Sequence, residues 1–258
     1  MLDIRLTAVG FVIGISAGTL GVGGGSLLAP ILILFFGVKA SIAIGTDLVY
    51  SVPMRLLAAY AHIRQGTFDR TAMTHLAIGG LPGSAFGLAV YAFVLKKLPG
   101  GQQDLILRHA IGVVILCAAA SALVMYLVAA YRSKTIRAPH RYPTGATIAI
   151  GAVVGCFVAM TSIGAGAITL PLMLLTLPML SLRTLIGSEI VFAAVIIPVC
   201  AVGHTAMFAD VDWLMAVSLM IGAVPGAYVG ARLCIRISES VLRPAVIGIL
   251  TFSGVNLL

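Results

Sequence analysis

The chain has 258 residues, 60% of them hydrophobic and only 9% charged, and its mean hydropathy is +1.14. A soluble domain keeps about a quarter of its residues charged, so this composition excludes a water-soluble globule and makes the bilayer its solvent. The net charge of +8 does not point to nucleic acid, because the basic residues sit mainly at the ends of apolar segments, where membrane topology accounts for them.

In chain order, the first apolar stretch is 5–36, interrupted by GVGGGS (21–26). Helices of about 20 apolar residues, long enough to cross the hydrocarbon core, are expected at 42–63, 72–95 and 107–131. A second broken stretch, 145–178, is interrupted by SIGAGA (162–167), and further spans are expected at 184–207, 213–231 and 241–258. Backbone groups in lipid need internal partners, so these segments are helices, and the short alternating segments of a barrel are absent. The start of the chain has the outline of a secretion signal. Its counterpart deep in the sequence argues against that, since a removable segment has no reason to recur.

Cys117, Cys156, Cys200 and Cys234 lie far apart in apolar segments, without CxxC or other metal-ligand spacing. They read as small packing residues, and no metal or other cofactor is expected.

The chain repeats itself. GISAGTLGVGGGSLLAPIL from Gly14 aligns with GCFVAMTSIGAGAITLPLM from Gly155, GTD (45–47) with GSE (187–189), His62 with His204, and IGGLPGSAFG from Ile78 with IGAVPGAYVG from Ile221. The offset drifts only from 141 to 143 residues. Two halves follow, 1–131 and 145–258, joined by a linker at 132–144 that carries Arg132, Lys134, Arg137, His140 and Arg141 and no acid.

By the positive-inside rule the linker is cytoplasmic, as is 64–71 with Arg64 and Arg70. If stretch 145–178 returns to the side from which it starts, basic loop 232–243 falls inside and acidic loop 208–212, with Asp210 and Asp212, falls outside. Ten of the sixteen basic residues are then cytoplasmic, with Lys96 and Lys97 outside against the rule. Each arm of a broken stretch has about 15 residues, or ~22 Å at the helical rise, short of the ~30 Å hydrocarbon core. The expected fold is all-α and polytopic. Two inverted repeats each comprise a glycine-broken re-entrant or tilted helical hairpin plus three transmembrane helices.

Inverted repeats with broken helices are the construction of secondary transporters, whose substrate sites lie at the breaks. Glycine lets the chain leave helical geometry. The freed N–H groups at Gly23, Gly24, Gly25 and Ser26, and at Gly164, Ala165 and Gly166, together with the dipole of the following helix, suit an anion. The same glycines would also serve close helix crossings. They are no dinucleotide fingerprint, lacking a third glycine in register and a βαβ context.

Arg55, two residues after Pro53, lies inside a span, where an arginine is costly and marks a functional site by default. It either meets the substrate with its planar fork, or pairs with Asp47, or snorkels to the cytoplasmic end. The repeat-equivalent pairs Asp47 and Glu189, and His62 and His204, are candidates for coupling protons, though capping and interfacial roles are equally ordinary near helix ends. Gly79, Gly83 and Gly87, and their counterparts Gly222, Gly226 and Gly230, are four apart, as in tight helix packing. Trp213 reads as an interfacial anchor.

Through AGTLGVGGGSLLAPIL (17–32), GTDL (45–48), His62 with GTFD (66–69), ADVDW (209–213) and PGAYVGARL (225–233), the chain resembles the sulfite exporter TauE/SafE family of membrane permeases. The resemblance covers both halves. It implies a multi-pass protein of the bacterial inner membrane that exports a small anion such as sulfite or an organosulfonate, by alternating access. The implied partners are that oxyanion and the lipid bilayer, with a homodimer left open and no nucleic acid. SIGAG in place of GVGGG departs from the first break, so equal contact of both halves with substrate does not follow. An anion channel built from the same hairpins is the near rival. An enzyme is not expected: HExxH is absent, histidines are scattered, and no acid pair sits at helical spacing within a span.

Overall fold

The computed structural model describes residues 4–20, 25–131, 142–233, 248, 251–252 and 254–257. Gly23 and Gly24, linker residues 132–141 and most of 234–258 lie outside the described residues. Among those described, every regular element is helical: α1 (Ile4–Leu20), α2 (Gly25–Phe36), α3 (Ala40–Arg64), α4 (Arg70–Phe93), α5 (Gly100–Tyr131), α6 (Thr144–Thr161), α7 (Thr169–Thr176), α8 (Leu182–Gly203) and α9 (Trp213–Leu233). A π-helical turn, His204–Phe208, prolongs α8. Among the described residues, five segments are long and apolar enough to cross a membrane: Ala40–Arg64, Arg70–Phe93, Gly100–Ala120, Thr144–Thr161 and Arg183–Phe208. Large apolar side chains such as Leu57, Phe86, Val202 and Val217 face outward, as a lipid solvent requires.

The helices start where short polar side chains satisfy the first free N–H groups. Asp69 accepts from the Ala72 N–H at 2.6 Å to open α4, Ser181 accepts from Thr184 to open α8, and Asp212 accepts from Met215 to open α9. The second broken stretch is less even than two 15-residue arms. α6 has 18 residues and α7 only 8, or about 27 and 12 Å. Two local causes account for it. The chain turns left-handed at Ser162, which ends α6 late, and Pro178 keeps Leu177 out of the helix, which ends α7 early.

Glycine sets the two closest helix pairs. A Cβ at Gly79, Gly83 or Gly87 of α4 would strike the backbone of Ile148, Ala152 or Cys156 on α6, while Gly151 and Gly155 of α6 rest on Leu76 and Gly80. The counterparts repeat the arrangement, with Gly222 and Gly226 of α9 against Thr7 and Phe11, and Gly10 and Gly14 of α1 against Leu219 and Ala223. Residue numbers rise together across each contact, so α4 runs parallel to α6 and α1 to α9. Each pair takes one helix from each half.

The halves also exchange contacts reciprocally. Gly45 of α3 abuts the Asp210 carbonyl, and the Thr46 hydroxyl accepts from the Asp212 N–H at 3.1 Å. In the equivalent place Gly187 of α8 abuts the Thr67 carbonyl, and the Ser188 hydroxyl accepts from the Asp69 N–H at 2.8 Å. So α3 starts beside 210–212, past the end of α8, and finishes beside the start of α8. The two equivalent helices run antiparallel.

The same contacts locate both broken stretches. Tyr142, just ahead of α6, donates to Asp69 at 3.4 Å, and Asp69 meets Ser188; α6 and α8 therefore start at one end of the molecule. Burial, then the Asp69 charge, push the Tyr142 hydroxyl above its ordinary value, so it stays a donor. Since α1 lies parallel to α9, α1 and α3 start together at the opposite end. Each stretch returns to the end from which it set out.

Candidate functional site

The antiparallel α3/α8 pair carries a cluster of buried polar groups, among them Thr46, Asp47, Ser51, Ser188 and Glu189. Spacings of three, four and eight residues put Asp47, Tyr50, Ser51 and Arg55 on one face of α3. Asp47 is 0% and Glu189 2% exposed. Arg55 Nη1 donates to Glu189 Oε1 at 3.3 Å, joining the two halves across the pair. The guanidinium also acts electrostatically on Asp47. One cation thus serves two buried carboxylates.

The second glycine break closes on the same place. The Ser162 hydroxyl donates to Asp47 Oδ2 at 2.5 Å. Ser162 itself is left-handed (φ 61°) and Gly164 has φ 130°. The reversal is partly tied to itself: the Thr161 hydroxyl accepts from the Ile163 N–H, and the Gly164 carbonyl accepts from the N–H and hydroxyl of Thr169. The N–H groups of Gly164, Ala165 and Gly166 have no acceptor among the described residues, although Ala165 is buried. Consecutive N–H groups in such a turn make an anion-binding concavity. Buried as well, and also without partners among the described residues, are Asp47 Oδ1 and the Tyr50 hydroxyl one helical turn away.

The sequence candidates divide accordingly. Arg55 bonds Glu189 and acts on Asp47, and Ser162, two residues ahead of Gly164, donates to Asp47. Gly25 and Ser26 open α2, while Gly23 and Gly24 lie outside the described residues. The histidines stay apart. His62 pairs with Thr67 at 2.8 Å near the end of α3. His204 is buried against Tyr91 and Phe208 and meets the Ala159 carbonyl at 2.9 Å. Neither bonds to Arg55, Asp47 or Glu189. Among the three alternatives for Arg55, pairing is realised, but with Glu189 and not by a bond to Asp47.

Sequence reasoning missed Tyr50, Ser162 and the Tyr91–Asp210 hydrogen bond of 2.9 Å. Tyr50 was within reach, being three residues past an intramembrane acid. Ser162 was not, because its role depends on a contact 115 positions away.

The family model described as sulfite exporter TauE/SafE matches residues 6–257. Among curated proteins, the chain is 31% identical over 266 residues to the "Probable membrane transporter protein YjnA" of Bacillus subtilis (strain 168), covering all of both chains. It is 27% identical to "Probable membrane transporter protein YdhB" of the same organism, over 96% of this chain and 97% of that one. No solved structure gives a significant match.

Proposed function

Because the chain belongs to the sulfite exporter TauE/SafE family, we propose that it exports a small sulfur oxyanion, such as sulfite or an organosulfonate, by alternating access. That it is a multi-pass membrane transporter rests on the family and on its apolar helices. The substrate reading is supported by one observation above all: the face of α3 that carries a part-buried arginine and a tyrosine hydroxyl without a partner among the described residues is bonded through Asp47 to Ser162 of the second glycine break, where the N–H groups of residues 164–166 have no acceptor among the described residues. The arginine, the hydroxyl and the N–H groups are all donors, and an oxyanion offers only acceptors. In this reading Arg55, Tyr50 and residues 164–166 receive the anion, and Gly23, Gly24, Gly25 and Ser26 supply the first half's share.

The halves, 1–131 and 145–258, are read as inverted repeats across linker 132–144, in keeping with antiparallel α3 and α8. Arg64, Arg70 and Arg183 lie at the end from which α6 and α8 start, which is taken as cytoplasmic. The opposite end bears Asp210 and Asp212, with Lys39 and Lys97, while Arg108 is paired there with Asp104 at 2.6 Å. Cysteine-accessibility labelling is expected to place 132–141 and 232–243 inside and 208–212 outside. Labelling of 208–212 and 232–243 from one side would overturn the inverted arrangement.

Function is tested by uptake into proteoliposomes from a panel of sulfite, sulfate, thiosulfate and organosulfonates. Saturable flux of sulfite or a sulfonate is expected. Single-channel currents would replace the carrier with a pore, and no flux of any member would remove the sulfur-oxyanion substrate.

A further inference from the structure

The Arg55–Glu189 bond has a consequence for coupling. The guanidinium that an oxyanion would use is occupied, in this structure, by the carboxylate of the other half. Asp47 shares the same cation and is buried completely. With both acids ionised, the centre holds two negative charges against one positive, and an entering anion would add a third in a medium that screens poorly. Loading the anion therefore requires a carboxylate to lose its charge.

We propose that Glu189 is that group: the substrate oxyanion and the Glu189 carboxylate compete for Arg55, and Glu189 leaves by taking up one proton. The proposal rests on the anion-transport reading above. The proton binds a Glu189 oxygen, the carboxylate becomes a neutral acid, and the freed guanidinium donates to the anion. When the anion departs, Glu189 loses its proton and returns to Arg55. One proton then travels with each anion.

The surroundings single out Glu189. Ala59, Ile190 and Val191, with Ala58, Phe68, Met73, Ile186 and Ala194, form an apolar cluster around this stretch of α8. Ionisable groups on the packed elements are Asp47, Tyr50, Arg55, Tyr60, His62 and Arg64 on α3, Arg70, His75 and Tyr91 on α4, Cys156 on α6 and His204 in the π-turn, with none on α7, and α8 itself adds Arg183 and Cys200. Of these groups, Arg55 is the one that hydrogen-bonds Glu189. Asp47 differs in that it makes no hydrogen bond to Arg55 to be displaced: its Oδ2 takes the Ser162 hydroxyl and its Oδ1 has no partner among the described residues. Pairwise symmetry is broken as well: at an offset of 142 the counterpart of Arg55 is Ile197, so the second half supplies no equivalent cation at that position.

The test uses full-length protein in proteoliposomes, with the membrane potential clamped at zero and radiolabelled sulfite at a pH where the anion itself does not titrate. Wild type should accumulate sulfite about tenfold per unit of pH gradient, the equilibrium ratio for one proton per anion. Glu189→Gln should lose that accumulation while downhill flux stays measurable, and Glu189→Asp, which keeps a titratable group, should retain it. In detergent, sulfite binding to wild type should take up protons from weakly buffered solution. Gradient-driven accumulation by Glu189→Gln would overturn the proposal. So would sulfite flux through wild type that ignores the gradient, an outcome that leaves anion transport standing. If Glu189→Gln does not assemble, binding to wild type without proton uptake is decisive against it. No flux in wild type at all would count against the transport reading instead.

Discussion

Arg55→Ala is expected to abolish oxyanion flux and to lower stability by about 3–5 kcal/mol, the usual cost of removing one partner of a buried ion pair. Both losses have the same origin. The alanine leaves Glu189 and Asp47 buried with no cation, at 2% and 0% exposure. A second change separates them: in Arg55→Ala with Glu189→Gln only Asp47 is left without the cation, so part of the stability should return while flux stays absent. Arg55→Lys keeps the charge but loses the planar fork. Losing one charge-assisted hydrogen bond, about 1.5–3 kcal/mol, weakens apparent affinity by about ten- to a hundredfold. Thermal unfolding in detergent and concentration-dependent uptake in proteoliposomes measure the two effects. Uptake by Arg55→Ala with wild-type concentration dependence would reduce Arg55 to a structural tie.

How far the sequence disclosed this centre depends on the range of the contacts involved. Hydropathy marked α3, α4, α5 and α8 because the bilayer acts on each span separately, and residues 40–64 and 70–93 fall close to the expected 42–63 and 72–95. Glycines spaced four apart on α4 and α9 declared close packing, since a missing side chain has one ordinary use in a lipid-facing helix. What they packed against was hidden. Pairing α4 with α6 and α1 with α9, one helix from each half, requires the tertiary fold. Asp47, Arg55 and Glu189 stood out singly because ionisable groups are rare in such segments. That Arg55 pairs with Glu189 across 134 positions, while Asp47 takes Ser162, is not encoded in local spacing. The unequal arms of the second break followed from a left-handed serine and a proline acting together, which a count of residues between glycines does not register.

The glycine break is where a packing role and a binding role separate most sharply, and two substitutions tell them apart. Gly164→Ala is expected to cut transport strongly while the protein still assembles. Space is not the obstacle, because an added Cβ would meet nothing nearer than Val158 Cγ2 at 3.7 Å. The obstacle is φ 130°, a backbone state that costs an L-residue about 1–3 kcal/mol. Relief of that strain rotates the peptide units on either side and so re-aims the N–H groups of residues 164–166. Gly83→Ala is the opposite case. Its backbone is ordinary helix, and its Cβ would be driven into the Ala152 carbonyl. α4 and α6 must separate, at a typical overpacking cost of about 1–3 kcal/mol. Stability and flux should then fall together. The comparison is made at matched stability losses, from melting curves and sulfite uptake of each variant. A Gly164→Ala protein that transports in proportion to its stability, as Gly83→Ala does, would make the break a hinge of the fold and no part of the anion site. A disproportionate loss at Gly164, repeated by Gly24→Ala or Gly25→Ala, would place both halves around the substrate, since those residues occupy the corresponding break of the first repeat.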